Sequence, residues 1–224
     1  MGGLNRQPLR YLVIEGPIGV GKTSLARRLA EDLGGELLLE QPEENPFLER
    51  FYSDPHGAAL PVQLHFLLQR ARQMRELQQA DLFRPLRVAD FLFHKDRLFA
   101  GVTLDEEELA LYEQVHAGLG LVPPVPDLVV YLQAPIEVLV ERIRRRDRRF
   151  ERYIDTGYLQ RLCEAYTDFF HHYDEAPLLI VNATEIDFVA NPSDYRNLLA
   201  RILDVRSGRE YYNPLPFDLD AHQP

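Results

Sequence analysis

The residues Gly16-Pro17-Ile18-Gly19-Val20-Gly21-Lys22-Thr23 carry the spacing G-x-x-x-x-G-K-[ST], which suits one chemistry, the cradling of a polyphosphate. Glycines let successive backbone N–H groups curl around phosphate oxygens, the lysine ammonium reaches the outer phosphates, and the hydroxyl joins the shell of a magnesium ion. Lys22 is thus a candidate catalytic cation and Thr23 a candidate metal ligand, with ATP and Mg2+ as the expected cofactors. Two carboxylates, Glu40 and Asp90, close short apolar runs downstream. Each could accept a proton from an attacking hydroxyl or hold magnesium, and each could simply cap the next helix or turn. Their joint placement beside a phosphate loop favours the chemical reading. Arginines crowd the segment Glu141 to Arg152, among them Arg144, Arg146 and Arg148. In a chain of formal net charge −10 this is a local reversal of sign. A charge run is usually a solvated helix face, but a mobile arginine-rich lid at about 142–152 would bring guanidinium groups to a transferring phosphoryl group after the nucleotide has bound.

The elements that must position these groups alternate. Tyr11-Leu12-Val13-Ile14 precedes the loop as a buried parallel strand, and Ser24 to Leu33 follow it with the period of an amphipathic helix, which places the phosphates at a positive helix N-terminus. Glu36 to Glu40, Leu86 to Asp90, Leu128 to Leu132 and Leu178 to Val181 are further short apolar runs, each followed by a helical pattern. This is an α/β chain with about five parallel strands and helices on both faces, the three-layer arrangement of P-loop NTPases. Ligands of such sheets bind at the carboxyl ends of the strands, where Glu40 and Asp90 stand. Ala58 to Ala80 reads as a long helix with Leu64, Leu67, Leu68, Ala71 and Leu77 as core contacts, and Tyr158 to Tyr173 reads as another. The tail, Tyr211 to Pro224, is expected to lie over the surface or fray.

A chain of 224 residues with no linker or repeat is read as one domain spanning 1–224. Its acidity argues against nucleic acid as a partner and for small molecules. Cys163 is the only cysteine, so neither an intrachain disulfide nor a thiolate metal cluster is expected. No stretch has the apolar length of a membrane span or of a signal core, so a cytoplasmic protein is expected.

The loop, Glu40 with Glu44-Asn45-Pro46-Phe47-Leu48-Glu49-Arg50-Phe51-Tyr52, Gln63 in the long helix, Ala89-Asp90-Phe91 followed by Lys95 and Phe99-Ala100, and the arginine lid occur in an order that resembles the deoxynucleoside kinases. The resemblance runs from about Leu12 to Leu203 and is nearest to the bacterial deoxyguanosine and deoxyadenosine kinases. It implies transfer of phosphate from ATP to a deoxynucleoside 5′-hydroxyl, with Glu40 as base. Tyr52 and Glu151 would hold the sugar 3′-hydroxyl and Gln63 the base edge. Phe66, Lys95 and Asp90 would belong to the substrate side, with Asp90 also a metal candidate. Arg70 and Asp96 match a pair that lines the base pocket of relatives accepting purines or deoxycytidine. Arg146 and Arg148 match lid arginines that touch the donor phosphates, with Arg144 beside them. The resemblance also implies a homodimer, built on helices around 58–80 and 109–119.

One departure stands out. Many family members follow the strand-end acid with Arg-Ser, whereas Phe91 and Leu92 stand here. Either Lys95 or Arg97, about one helical turn on, takes over that charge, or the lid supplies it alone. Two other readings remain open at this level. A nucleoside monophosphate kinase resembling thymidylate kinases would need an extra basic site, which Arg50 or Arg70 could supply, and a non-catalytic nucleotide switch would need no second ligand site. Arg70 lies seven residues after Gln63, close to two helical turns, so both side chains face one way. A glutamine amide can present either order of donor and acceptor, and both purines fit it.

Overall fold

The computed structural model describes residues 9–54, 57–78 and 86–214. Its elements are β1 (Tyr11–Glu15), α1 (Lys22–Leu33), β2 (Glu36–Leu38), α2 (Leu48–Ser53), α3 (Ala59–Gln78), β3 (Arg87–Ala89), α4 (Lys95–Thr103), α5 (Glu106–Gly118), β4 (Leu128–Gln133), α6 (Ile136–Arg146), α7 (Thr156–His172), β5 (Leu178–Asn182), α8 (Pro192–Asp204) and β6 (Arg209–Tyr212), with 3-10 turns at Pro42–Glu44 and Arg149–Tyr153. One sheet contains all six strands in the order β2-β3-β1-β4-β5-β6, and every neighbouring pair is parallel.

Because side chains alternate across a strand, each central strand feeds two cores. Leu12, Ile14, Val130, Leu132, Leu179 and Val181 point to the layer where α1, α6 and α8 bury Leu25, Leu29, Leu139, Leu198 and Ile202. Tyr11, Val13, Val129, Tyr131, Leu178 and Ile180 point to the opposite layer, against Val62, Leu67, Tyr112, Leu162 and Phe170 of α3, α5 and α7. Burial on both faces explains why these strands read as unbroken apolar runs. Removal of each such aliphatic side chain from water contributes roughly 1.5–3 kcal/mol, enough that the strand ends are held firmly against the helices.

Several expectations are corrected. Where about five parallel strands were expected the sheet has six, the sixth being Arg209–Tyr212, which pairs along β5 with Tyr211 beside Ile180 and Tyr212 beside Val181. The beginning of the expected surface tail is therefore an edge strand; residues 215–224 lie outside the described residues. β2 and β3 are shorter than their apolar runs, so Asp90 is the first residue past β3 and Glu40 the second past β2. The long helix spans Ala59–Gln78, and Leu68, expected in the core, is 49% exposed. Its buried residues are Ala59, Val62, Gln63, Leu67, Gln69, Arg70, Ala71 and Met74, three of which are polar. Of the other expected core contacts, Leu67 and Ala71 are buried and Leu64 and Leu77 are partly buried against the cores, so hydrophobicity misplaced only Leu68 and left the polar members out. Among the described residues no helix is long and apolar enough to cross a membrane.

Candidate active site

The phosphate loop joins β1 to α1. Gly16 has φ 147° and a Cβ there would meet Leu132 O at 2.4 Å; Gly21 has φ 107° and its Cβ would meet the Phe188 ring at 2.8 Å. Both positions therefore require glycine, and the loop is held tightly enough to aim its N–H groups. Lys22 Nζ donates back to Gly16 O at 2.7 Å and Pro17 O at 3.0 Å. Burial lowers the Lys22 ammonium to about 8, with the charge on Lys95 adding to the effect. Without phosphate, the lysine is thus a cation short of compensating charge.

Ile18, Gly19, Lys22 and Thr23 open onto a cavity of about 340 Å³ at the carboxyl end of the sheet. Glu40, Tyr52, Gln63, Phe66, Arg70, Asp90, Lys95, Arg146, Arg148 and Glu151 line the same cavity. Residues from α1, the β2 and β3 ends, α2, α3, α4 and the lid are therefore brought to one space. Asp96 stands behind Arg70 and pairs with it. Gly16, Pro17, Val20 and Gly21 shape the loop without lining the cavity, and Arg144 is exposed on α6, outside the lining.

Glu40 lines the cavity and is held by two cations. Lys95 Nζ donates to its Oε2 at 2.6 Å, and the Arg70 guanidinium engages its Oε1. Burial alone would raise the Glu40 carboxyl, but Lys95 and Arg70 together hold it down at about 2. Of the two cations expected one helical turn past Phe91, Lys95 is the one that reaches Glu40. Arg97 turns away, exposed, to Glu113 at 2.9 Å. Phe91 is fully buried under Arg70, with the guanidinium carbon 5.3 Å from its ring centroid, so the aromatic ring supports the cation.

The clamp on Glu40 has a testable pH signature. Lowered from the ordinary 4.5 to about 2, Glu40 contributes stability that is fully present above pH 4.5 and is lost as pH falls through about 2. Lys95→Met should raise the Glu40 carboxyl, moving the acid limb of the kcat/KM profile to higher pH and narrowing the stable range from the acid side. An acid limb unchanged in the variant would show that Lys95 does not tune Glu40.

Asp90 joins both halves of the site. Thr23 Oγ1 donates to its Oδ2 at 2.5 Å and the Glu40 backbone N–H to its Oδ1 at 2.8 Å. Burial raises the Asp90 carboxyl, and the Glu40 charge pushes the same way, so a cation beside it would be welcome. A hydroxyl and a carboxylate are the hard oxygen donors that suit Mg2+, which usually keeps waters and takes phosphate oxygens for its remaining positions. Among the described residues no group of three or more His, Cys, Asp or Glu could hold a metal, so a cation here would depend on the nucleotide.

The arginine-rich segment expected to form a lid begins in α6, whose last residues turn through Asp147 at φ 49° into the 3-10 turn. Arg146 grips the buried Glu151 through Nε and Nη2, Arg148 reaches Glu43 at 3.3 Å, and Arg149 reaches Glu49 at 3.3 Å. Tyr52 stacks on Phe150 with ring centroids 6.4 Å apart and an interplanar angle of 8°. Burial, Tyr158 and Glu151 push the Tyr52 phenol well above its usual range, so it remains a hydrogen-bond donor. Arg50, one candidate for a second phosphate site, is exposed and outside the cavity; Arg70, the other, is committed to two carboxylates.

Sequence reasoning gave no role to four contributors, Glu15, Arg142, Phe150 and Tyr158. Glu15, the last residue of β1, is buried and accepts from Gly16 N at 2.8 Å, Tyr166 OH at 2.9 Å and Leu92 N at 2.7 Å. It thus ties the phosphate loop to the segment after Asp90 and to α7. Its only signal was an acid ending an otherwise apolar strand. Arg142 spans from the loop to the β5 end, donating to Val20 O at 3.4 Å and Ala183 O at 2.8 Å. Phe150 and Tyr158 complete the aromatic wall, and nothing in their spacing marked them.

This geometry can be set beside known proteins. Residues 12–205 match the family model described as deoxynucleoside kinase. The chain is 32% identical over 201 residues to a deoxyguanosine kinase of Bacillus subtilis (strain 168), covering 87% of this chain and 97% of that protein. It is 30% identical over 226 residues to a deoxyguanosine kinase of Lactobacillus acidophilus, covering 95% and 96%. A deoxyadenosine kinase of the same organism is 28% identical, covering 87% and 95%. A solved deoxyadenosine kinase from M. mycoides, with dCMP and a flexible dCDP bound, superposes with TM-score 0.75 at 24% identity, covering 85% of this chain and 97% of that one, and so shares the fold. The match runs from β1 past the end of α8 and the relatives are covered almost end to end, so this chain belongs to the deoxynucleoside kinase family.

Proposed function

We propose that the protein transfers the terminal phosphate of ATP to the 5′-hydroxyl of a purine deoxynucleoside, deoxyguanosine first, in nucleotide salvage. The observation that carries the reading is Glu40, ionised and held by Lys95 and Arg70 in the one cavity that Lys22 and Thr23 of the phosphate loop share with Gln63. In this mechanism the loop and Lys22 hold the outer phosphates, and Glu40 receives the proton of the attacking hydroxyl. Arg146 and Arg148 exchange carboxylate partners for phosphate oxygens as negative charge develops there. Tyr52 and Glu151 hold the sugar 3′-hydroxyl, Gln63 meets the base edge, and Phe66 forms part of the apolar wall. Thr23 and Asp90 would hold Mg2+, which supplies charge neutralisation on the phosphates. The preference for guanine is supported by the names of two of the relatives reported above and by Arg70, which, while paired with Glu40 and Asp96, still lines the cavity as a donor-only group suited to the adjacent acceptors N7 and O6.

The test compares ADP release with a panel of deoxynucleosides and with a panel of their monophosphates. Release with the first alone is expected; release with the second alone would make the protein a monophosphate kinase, and release with neither would return it to a nucleotide switch. Replacing Arg70 by Met and Asp96 by Ala together should erode the purine preference in kcat/KM by roughly 1–3 kcal/mol. Because Arg70 also holds Glu40, turnover should fall for every base, and the purine-to-pyrimidine ratio is the informative quantity. A ratio unchanged from wild type would remove the pair from base choice.

The reading extends to a cytoplasmic homodimer. α3 and α5 pack on each other and leave Leu68 and Leu111 exposed, at 49% and 48%, as a surface for a second copy. Sedimentation at micromolar concentration should give twice the chain mass of 26.0 kDa.

A further inference from the structure

Gln63 is not free to turn. Its side chain is buried on α3, and Nε2 donates at 3.0 Å to Thr103 Oγ1 at the end of α4. The Thr103 hydroxyl spends its single proton on Phe99 O at 2.7 Å, one turn back in the same helix. With that proton committed, Oγ1 can only accept, so only the nitrogen end of the amide can face it. Rotation by 180° would bring Oε1 against an oxygen that has no proton left, an unpaired buried contact between two acceptors. Oε1 has no protein partner among the described residues, and Gln63 faces the cavity. The amide therefore presents one acceptor and one remaining N–H in a fixed order.

A purine edge distinguishes these orders. Guanine carries an acceptor at position 6 and a donor at N1; adenine carries a donor at position 6 and an acceptor at N1. A rotating amide serves both, whereas a fixed one serves one and meets the other donor to donor. We propose that Thr103 is a specificity-determining positioning residue: its hydroxyl locks the polarity of Gln63 and so makes the enzyme choose between 6-oxopurine and 6-aminopurine deoxynucleosides, the guanine preference proposed above making the 6-oxo edge the expected choice. This inference rests on the deoxynucleoside kinase reading and adds a residue that touches no substrate.

The experiment measures kcat/KM for deoxyguanosine, deoxyinosine and deoxyadenosine with the wild type, Thr103→Val and Thr103→Ser. Deoxyinosine shares the 6-oxo edge and lacks the 2-amino group, so it isolates the edge that Gln63 reads. The wild type should favour both 6-oxo substrates over deoxyadenosine by roughly tenfold or more. Valine keeps the volume and removes the hydroxyl, and it should shrink that ratio roughly tenfold, chiefly by admitting deoxyadenosine. Serine keeps the hydroxyl and should keep the ratio, which a purely structural role at this position would not require. A wild type indifferent between deoxyinosine and deoxyadenosine, or a valine variant with the wild-type ratio, overturns the lock while leaving the kinase reading intact. Absence of turnover with every deoxynucleoside would overturn both. If the valine variant proves unstable, Thr103→Ala supplies the same deletion, and an unchanged ratio there counts equally against the lock.

Discussion

Glu40→Gln should lower kcat by roughly 10²–10⁴ while leaving nucleoside binding nearly unchanged. The amide keeps the shape of the side chain but cannot take the proton of the 5′-hydroxyl. The structure adds a second consequence. Both Glu40 oxygens are engaged by cations, Oε2 by Lys95 at 2.6 Å and Oε1 by Arg70. Glutamine would turn an NH2 toward one of them, leaving a buried cation without its partner, so thermal stability should fall as well. Single-turnover kinetics separates these effects, because a folded variant that binds nucleoside yet transfers phosphate slowly has lost chemistry. If binding collapses while kcat survives, Glu40 is a substrate clamp and the base must be sought elsewhere.

Lys22→Ala should cost two or more orders of magnitude in turnover, because it deletes a cation aimed at charge that grows in the transition state. Its amine is buried and lowered to about 8, and it spends its donors on Gly16 O and Pro17 O. An arriving polyphosphate should pull it back to the fully charged form. Nucleotide binding at about pH 8.5 should therefore take up protons, visible as a dependence of the calorimetric heat on buffer ionisation, and Lys22→Ala should abolish that uptake. The sign follows from the direction of the shift, since a group lowered in the free protein and raised in the complex binds protons on complex formation. Turnover within a few-fold of wild type would remove Lys22 from the mechanism.

What the chain carries locally was legible as sequence. A phosphate loop is contiguous, and its requirements are backbone curvature and one lysine, so Gly16 to Thr23 could be read without knowing what surrounds them. The central strands were legible because burial on both faces leaves no polar residue to interrupt them. Glu40 and Asp90 were legible from their placement just after such runs. Tertiary structure alone decided the rest. Lys95 reaches Glu40 across 55 positions of chain, and only the pairing of β2 with β3 tells it from Arg97, two residues on. Glu15 collects donors from Gly16, Leu92 and Tyr166, which no period relates. The inward face of α3 carries Gln63 and Arg70 while Leu68 faces out, because the cavity it borders is lined by polar as well as apolar side chains and hydrophobic patterning assumes an apolar one. β6 escaped because a strand at the sheet edge is only half buried and shows no apolar run. The polarity of Gln63 was open in the sequence for the simplest reason: an amide has no preferred orientation of its own, and the proton that decides it belongs to Thr103.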